Sequence, residues 1–227
     1  MSADIADHDI TSGIYPVAEI VRRLPTYFTI SFASKRNSGK TFLISQLIRE
    51  LLAQKRVDMV VVMSGSAGLN DDYAFLPSRL VMPFSEQVLQ NIWNKNKATD
   101  PKNRKHVLIV LDDCLATPEA IRNPTVSRYF ALGRHISSSF IVSSQHAAVL
   151  LSPLIKQNSD LLLWSKLNRQ MLETLHSSTT NLSKKAFIAF AEEFGGVEYN
   201  FCVLDNIIAS SDPAAFLTVV RADAPPG

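Results

Sequence analysis

Two cysteines in 227 residues are too few for a disulfide framework. Cys114 and Cys202 lie in or beside apolar, strand-like runs and have no metal-ligand spacing. They read as reduced core thiols in a reducing compartment. No apolar run approaches the ~18 residues of a membrane span. The first nine residues, Met1 to Asp9, are acidic and polar, so a signal peptide is not expected there. A charge excess is also missing: 23 Lys and Arg stand against 21 Asp and Glu, a net charge of +2. A nucleic-acid partner would then be met by a local basic patch, not by a global field. There are no internal repeats, so a repeat array is not expected. What remains is ordinary globular material, 46% hydrophobic and 19% charged, enough for a sizeable core. The length fits one large domain or two small ones.

One stretch organises the rest: Ser34-Lys35-Arg36-Asn37-Ser38-Gly39-Lys40-Thr41. Ahead of it, Tyr27 to Ala33 is apolar and β-prone, which reads as a buried strand. Behind it, Leu43, Ile44, Leu47, Ile48, Leu51 and Leu52 recur at helical spacing. Strand, tight loop and helix are the context of a phosphate-binding loop. Its backbone N–H groups converge on one spot, where the helix dipole favours an anion. Lys40 would reach the β- and γ-phosphates and the Thr41 hydroxyl would hold Mg²⁺. Ser34 departs from the glycine that opens the usual G-x-x-x-x-G-K-[ST] pattern. A plainer reading is an ordinary βα turn with a chance Gly-Lys-Thr.

The flanking pattern alternates strands and helices. Residues 1–24 read as an N-terminal arm with a short helix from Val17 to Leu24, residues 25–211 as the main domain, and 212–227 as a final strand and tail. Strands are expected at 57–63, 80–84, 107–111, 138–144, 161–164, 199–204 and 216–220. Helices are expected at 86–95, 125–132, 147–157, 168–177 and 182–194, the last stopped by Gly195-Gly196. Near-continuous apolar strands between helices predict an α/β fold, a mostly parallel central sheet with helices on both faces.

Three further groups carry chemistry. Val107 to Leu111 runs into Asp112-Asp113 about 70 residues after the phosphate loop. Asp112 at the strand tip would bind Mg²⁺, and Asp113 would orient or deprotonate the attacking water. An acid that merely caps the next turn is the plainer alternative. Gln145 ends the following strand and would face the γ-phosphate, or else it is a surface glutamine opening a helix. Arg134, in Gly133-Arg134-His135, is a surface charge or an arginine finger aimed at a neighbouring subunit's γ-phosphate. It is expected at the sheet edge where ligands gather. Lys35 and Arg36 are rival sources of that charge, and His135 reads as structural. The run from Asn94 to His106 carries Lys95, Lys97, Lys102, Arg104 and Lys105 against Asp100 alone. It is a solvated loop or a phosphate-contacting one, with Lys102, Arg104 and Lys105 as the DNA-binding candidates.

Together the phosphate loop, the Leu111-Asp112-Asp113 strand end, and Gly133-Arg134-His135 with Gln145 ten residues on carry a resemblance. They resemble the genome-packaging ATPases of large eukaryotic DNA viruses, the poxvirus type. Relatives occur in virophages, Polinton-like elements and membrane-containing bacteriophages, all in the FtsK/HerA division of P-loop ATPases. The resemblance spans about Tyr27 to Trp164. It implies a RecA/FtsK-HerA-like P-loop NTPase fold, ATP and Mg²⁺ as cofactors, and a homo-oligomeric ring with ATP sites between subunits. Double-stranded DNA would pass through the channel, capsid or portal-vertex proteins would be further partners, and no membrane span is implied. The implied activity is ATP-driven packaging of a viral genome into a preformed capsid, in the host cytoplasm at the assembly site or at the virion vertex. The competing readings are a cellular HerA/FtsK-like motor or helicase, and a non-motor P-loop switch or kinase.

Overall fold

Val107–Asp112 (β5) is buried along its whole length, which requires cover on both faces of its sheet. The computed structural model of the chain describes residues 13–69, 71–114, 123–145, 153–177, 182–210 and 212–223, and supplies that cover. The other strands are β1 (Ile14–Pro16), β2 (Thr29–Ser34), β3 (Met59–Ser64), β4 (Val81–Met82), β6 (Ser138–Ser144), β7 (Leu161–Ser165), β8 (Asn200–Asp205) and β9 (Leu217–Arg221). The helices are α1 (Val17–Arg23), α2 (Lys40–Ala53), α3 (Glu86–Ala98), α4 (Pro124–Leu132), α5 (Pro153–Asn158), α6 (Arg169–His176), α7 (Lys184–Gly195) and α8 (Pro213–Phe216).

The nine strands form one sheet in the order β1-β9-β8-β7-β2-β6-β5-β3-β4. All pairings are parallel except those of β8 with β7 and β9. The expected α/β fold is therefore present, with one reversed strand. Side chains alternate across the sheet, so each strand feeds two cores. Leu108 and Val110 of β5 join Ile30 and Phe32 of β2 in a cluster with α1 and α2. Ile109 and Leu111 join Met63 and Val142 in a second cluster with α3, α4, α6 and α7. The apolar stripe of α2, Leu43, Ile44, Leu47, Ile48 and Leu51, is fully buried in the first. Side chains cap several helix starts: Ser85 accepts from the Val88 N–H, and Asn123 accepts from Thr125 and Val126 with Pro124 behind it.

Some boundaries moved. The strand expected at 80–84 is only Val81–Met82, because Pro83 has no N–H to offer the ladder. The helix expected at 86–95 continues to Ala98. Of the helix expected at 147–157, the described part is Pro153–Asn158; 147–152 lie outside the described residues. In the expected N-terminal arm, Ile14–Pro16 pairs in parallel with β9, and α1 packs on α2. Nothing in a three-residue segment announces that pairing; the register of β9 supplies it. Cys114 and Cys202 are both free.

Arg56, after α2, ties α1 to the sheet. Its guanidinium donates to the carbonyls of Val21 at 2.8 Å, Leu24 at 2.7 Å and Pro25 at 2.8 Å. These carbonyls lie in the last turn of α1 or just after it, where a helix leaves acceptors without an internal partner; Val21 O also takes the Leu24 N–H at 3.3 Å. Arg56→Met should lower the unfolding free energy by about 2 kcal/mol, read from the urea midpoint. A loss below about 0.5 kcal/mol would mean that water replaces the guanidinium at no cost.

Candidate functional site

Parallel strands end at the same edge, and the residues after β2, β3, β5 and β6 meet there. Strand β6 lies between β2 and β5, so Gln145 emerges between the loop after β2 and the acids after β5. This is the edge where open α/β sheets gather ligands. The edge holds a cleft of about 560 Å³ lined by residues 35–42, Gly65, Ser66, Asp72, Asp113 and Gln145.

The loop is shaped by two left-handed residues, Asn37 at φ +57° and Gly39 at φ +83°. Asn tolerates this region and glycine enters it freely. Gly39 caps α2. Ser34 is not in the left-handed region, so its backbone does not require the missing glycine. Instead its buried hydroxyl accepts from Ser38 Oγ at 2.9 Å, closing the loop on itself.

Lys40 begins α2 and is only 5% exposed. Its ammonium pairs with Asp113 Oδ2 at 2.5 Å. That contact is an ion pair, not an aligned hydrogen bond, and among the described residues Lys40 Nζ has no hydrogen-bond acceptor. Asp113 Oδ1 is likewise buried without a donor. A buried ammonium with one partner is costly, and it suits an anion that would bring several more oxygens.

The two consecutive acids point to different partners. Asp112 is 2% exposed and its carboxylate accepts three hydroxyls. Ser143 Oγ donates to Oδ1 at 2.5 Å, and Thr41 Oγ1 and Tyr73 Oη donate to Oδ2 at 3.0 and 2.8 Å. Asp113 sits at φ +51°, an uncommon backbone for a non-glycine residue. Its N–H donates to Ser143 Oγ at 3.1 Å, and Gln145 Nε2 donates to its Oδ2 at 2.9 Å. The turn aims Asp113 back at Lys40 and Gln145 while Asp112 stays with Thr41. Burial, then the Asp112 charge, pushes the Tyr73 hydroxyl far above its ordinary range, so it stays protonated and can donate to Asp112. Burial and Asp112 also raise the Asp72 carboxyl. The Cys114 thiol is pushed up to about 12 by burial and the neighbouring acids, which keeps it protonated and inert.

The donor set fits Mg²⁺. Thr41 and Asp112 bring hard oxygens to one point, and this ion commonly takes only one or two protein ligands beside phosphate and water. Among the described residues no cluster of three or more His, Cys, Asp or Glu is placed to hold a metal without such help.

Arg134 is not in this cleft, which corrects the expectation that it lies at the ligand-gathering edge. It sits in the 3₁₀ turn Gly133–Ile136, ahead of β6, and so at the amino edge. The seven residues of β6 separate it from Gln145, a run of about 20 Å. There it lines a small cavity with Tyr27, Thr29, Ser138 and Asp160. Burial pushes the Asp160 carboxyl up, while the Thr29 N–H and Arg134 pull the other way. The basic loop is at the same edge. The Arg104 guanidinium donates to Thr99 O at 2.9 Å and His135 O at 2.8 Å. Asn96 donates to Lys105 O at 3.1 Å and Ile136 O at 2.8 Å. The loop and the Arg134 turn are thus clamped together. Arg104 is committed to backbone carbonyls, whereas Lys102 and Lys105 are exposed.

Sequence reasoning missed Tyr73, Ser143 and Asp72. Ser143 was within reach, since it pairs in register with Asp112 on the next strand. Tyr73 and Asp72 lie in a turn-rich segment with no periodicity to mark them.

No family model matches the sequence. Uncharacterized protein 015R of Frog virus 3 (isolate Goorha) is 25% identical over 185 residues, 78% of this chain and 56% of that protein. The chain thus spans little more than half the length of that relative. Among solved structures, B204, the DNA-packaging ATPase of Sulfolobus turreted icosahedral virus, superposes with a TM-score of 0.61 at 12% identity, over 88% of this chain and 99% of that one. The genome-packaging NTPase B204 of Sulfolobus turreted icosahedral virus 2, in complex with ATP-γS, gives 0.60 at 15% identity, over 86% and 98%. The pCW3 conjugation coupling protein TcpA gives 0.60 at 14%, over 87% and 60%. At these identities the likeness is one of fold: the chain shares the α/β fold of these proteins, a viral genome-packaging ATPase among them.

Proposed function

We propose that this chain is an ATP-driven double-stranded DNA translocase that packages a viral genome into a preformed capsid. The observation that carries the ATPase part is the under-partnered Lys40 ammonium beside Thr41, Asp112, Asp113 and Gln145 in one cleft. The packaging part is supported by the motif resemblance and by the fold shared with the B204 proteins. The setting that follows is the viral assembly site in the host cytoplasm, or the virion vertex. No helix among the described residues is long and apolar enough to cross a membrane.

The phosphates of ATP lie along residues 34–41, with loop N–H groups and Lys40 as donors. Thr41 and Asp112 would hold Mg²⁺, which would supply charge neutralisation at the phosphates. Tyr73 and Ser143 donate to the Asp112 carboxylate and fix it for that purpose. Phosphate draws Lys40 off Asp113. Asp113, still held by Gln145, then accepts a proton from the attacking water as the water oxygen bonds to the γ-phosphorus, while the bond from the γ-phosphorus to the β–γ bridging oxygen breaks and ADP leaves with that oxygen.

Arg134 serves a neighbouring subunit in this scheme. A ring closes through heterologous contacts, so the cleft edge of one subunit meets a different surface of the next. Arg134 is about a strand's length from its own cleft, too far to complete it. Lys35 and Arg36 supply loop charge in cis. Lys102 and Lys105, exposed on the clamped loop, meet the DNA backbone.

Hydrolysis should rise with DNA of any sequence, and DNA binding should fall steeply with salt. Asp113→Asn should keep DNA and Mg-ATP binding but lose turnover, while Lys102→Glu with Lys105→Glu should flatten the salt slope. Hydrolysis indifferent to DNA would favour the switch or kinase reading over any motor. For Arg134, turnover should fall by roughly 10³-fold or more in Arg134→Ala with ATP affinity kept. Mixing Arg134→Ala subunits with Asp113→Asn subunits should restore part of it. Verified mixed rings without recovery would remove Arg134 from the neighbour's site.

A further inference from the structure

The loop after β2 divides the cleft into two sides. The acids and Gln145, which face the γ-phosphate in the proposed reaction, follow β5 and β6 on one side of β2. On the other side lie β7 and then β8. Strand β8 is reversed, so it starts at the cleft edge, and Tyr199 immediately precedes it. The Tyr199 ring lies directly against the phosphate loop: a Cβ on Gly39 would stand 3.0 Å from its Cδ1. It also meets the Phe42 ring edge-on, with centroids 6.1 Å apart at 64°. Phe42 lines the cleft one residue beyond Thr41, and both rings are only half-buried. Tyr199 is held at φ +60°, an outlying backbone for a bulky side chain, with its carbonyl taking the Ala222 N–H at 3.0 Å.

A triphosphate seated with its γ end at Asp113 and Gln145 runs back toward the first turn of α2. What is attached to its α-phosphate then leaves on the Phe42 side, where the two rings stand. We infer that Phe42 and Tyr199 form the wall that takes the nucleobase, by stacking and apolar contact. The inference rests on the nucleotide reading above and extends it to a part of the ligand that the phosphate loop does not touch. The strained backbone of Tyr199 has a use on this account: it turns the ring onto Gly39 instead of out along β8.

The test compares two ligands on the full chain, Mg-ATP and Mg-tripolyphosphate, by equilibrium titration. Tyr199→Ala should weaken Mg-ATP by about tenfold, the scale of one base–aromatic stack, and leave tripolyphosphate within about twofold. Tyr199→Phe should match the parent for both. Phe42→Leu, a change on the regular helix α2, should give the same split as Tyr199→Ala and guards against a misfolded loop variant. Equal weakening of both ligands would mean that Tyr199 only props the loop at Gly39, and unchanged Mg-ATP binding in both variants would mean that the base lies elsewhere; either overturns the inference while leaving the nucleotide reading intact. A parent chain that binds neither ligand would overturn both.

Discussion

The contact between Lys40 and Asp113 is the point on which the cleft depends. Both groups are carried there by elements that would form in any α/β sheet: Lys40 by the first turn of α2, Asp113 by the turn after β5. Burial makes their pairing consequential. An ammonium at 5% exposure needs an anion, and without nucleotide the nearest is the acid that the reaction would need free. In the proposed reaction the same pair would hold the loop in shape when the cleft has no ligand and give way when phosphate arrives. The Gln145 hydrogen bond would keep Asp113 in place across that exchange. Asp112 stands apart, its three hydroxyl donors leaving it aimed at Thr41 throughout.

The parallel sheet gives the molecule two chemically different edges. The carboxyl edge gathers the loop after β2, both acids and Gln145. The amino edge gathers Arg134 and the basic loop, which Arg104 and Asn96 bind into one unit. The proposed ring would use this division, with the cleft on one edge and Arg134, Lys102 and Lys105 on the other, since each head-to-tail interface joins unlike surfaces. Reversed strand β8 breaks the pattern once, and the break brings Tyr199 to the carboxyl edge.

Much of this was legible in the sequence because the carriers are long and periodic. The stripe of α2 and the apolar runs of β5 and β6 fixed which residues end which strand, and the cleft follows once those strands are parallel. The order of the strands was less accessible. Placing Arg134 beside the cleft went wrong because a residue just ahead of a strand is at the opposite edge from one just after it. Ser34 looked like a defect in the loop motif, yet its hydroxyl closes the loop with Ser38. Tyr73 could not be foreseen, since its role comes from a turn-rich segment folding over Asp112. The pairing of β1 depends on β9, some two hundred residues away, and no local pattern carries that.

The central claim is that the buried Lys40 ammonium is there to meet a nucleotide's phosphates. Titration of Mg-ATP into the full chain and into Lys40→Ala, with folding checked by circular dichroism, tests it most directly. The parent should bind and hydrolyse, and the folded variant should lose hydrolysis and most of its binding. A folded Lys40→Ala that hydrolyses ATP at the parent's rate would contradict the account.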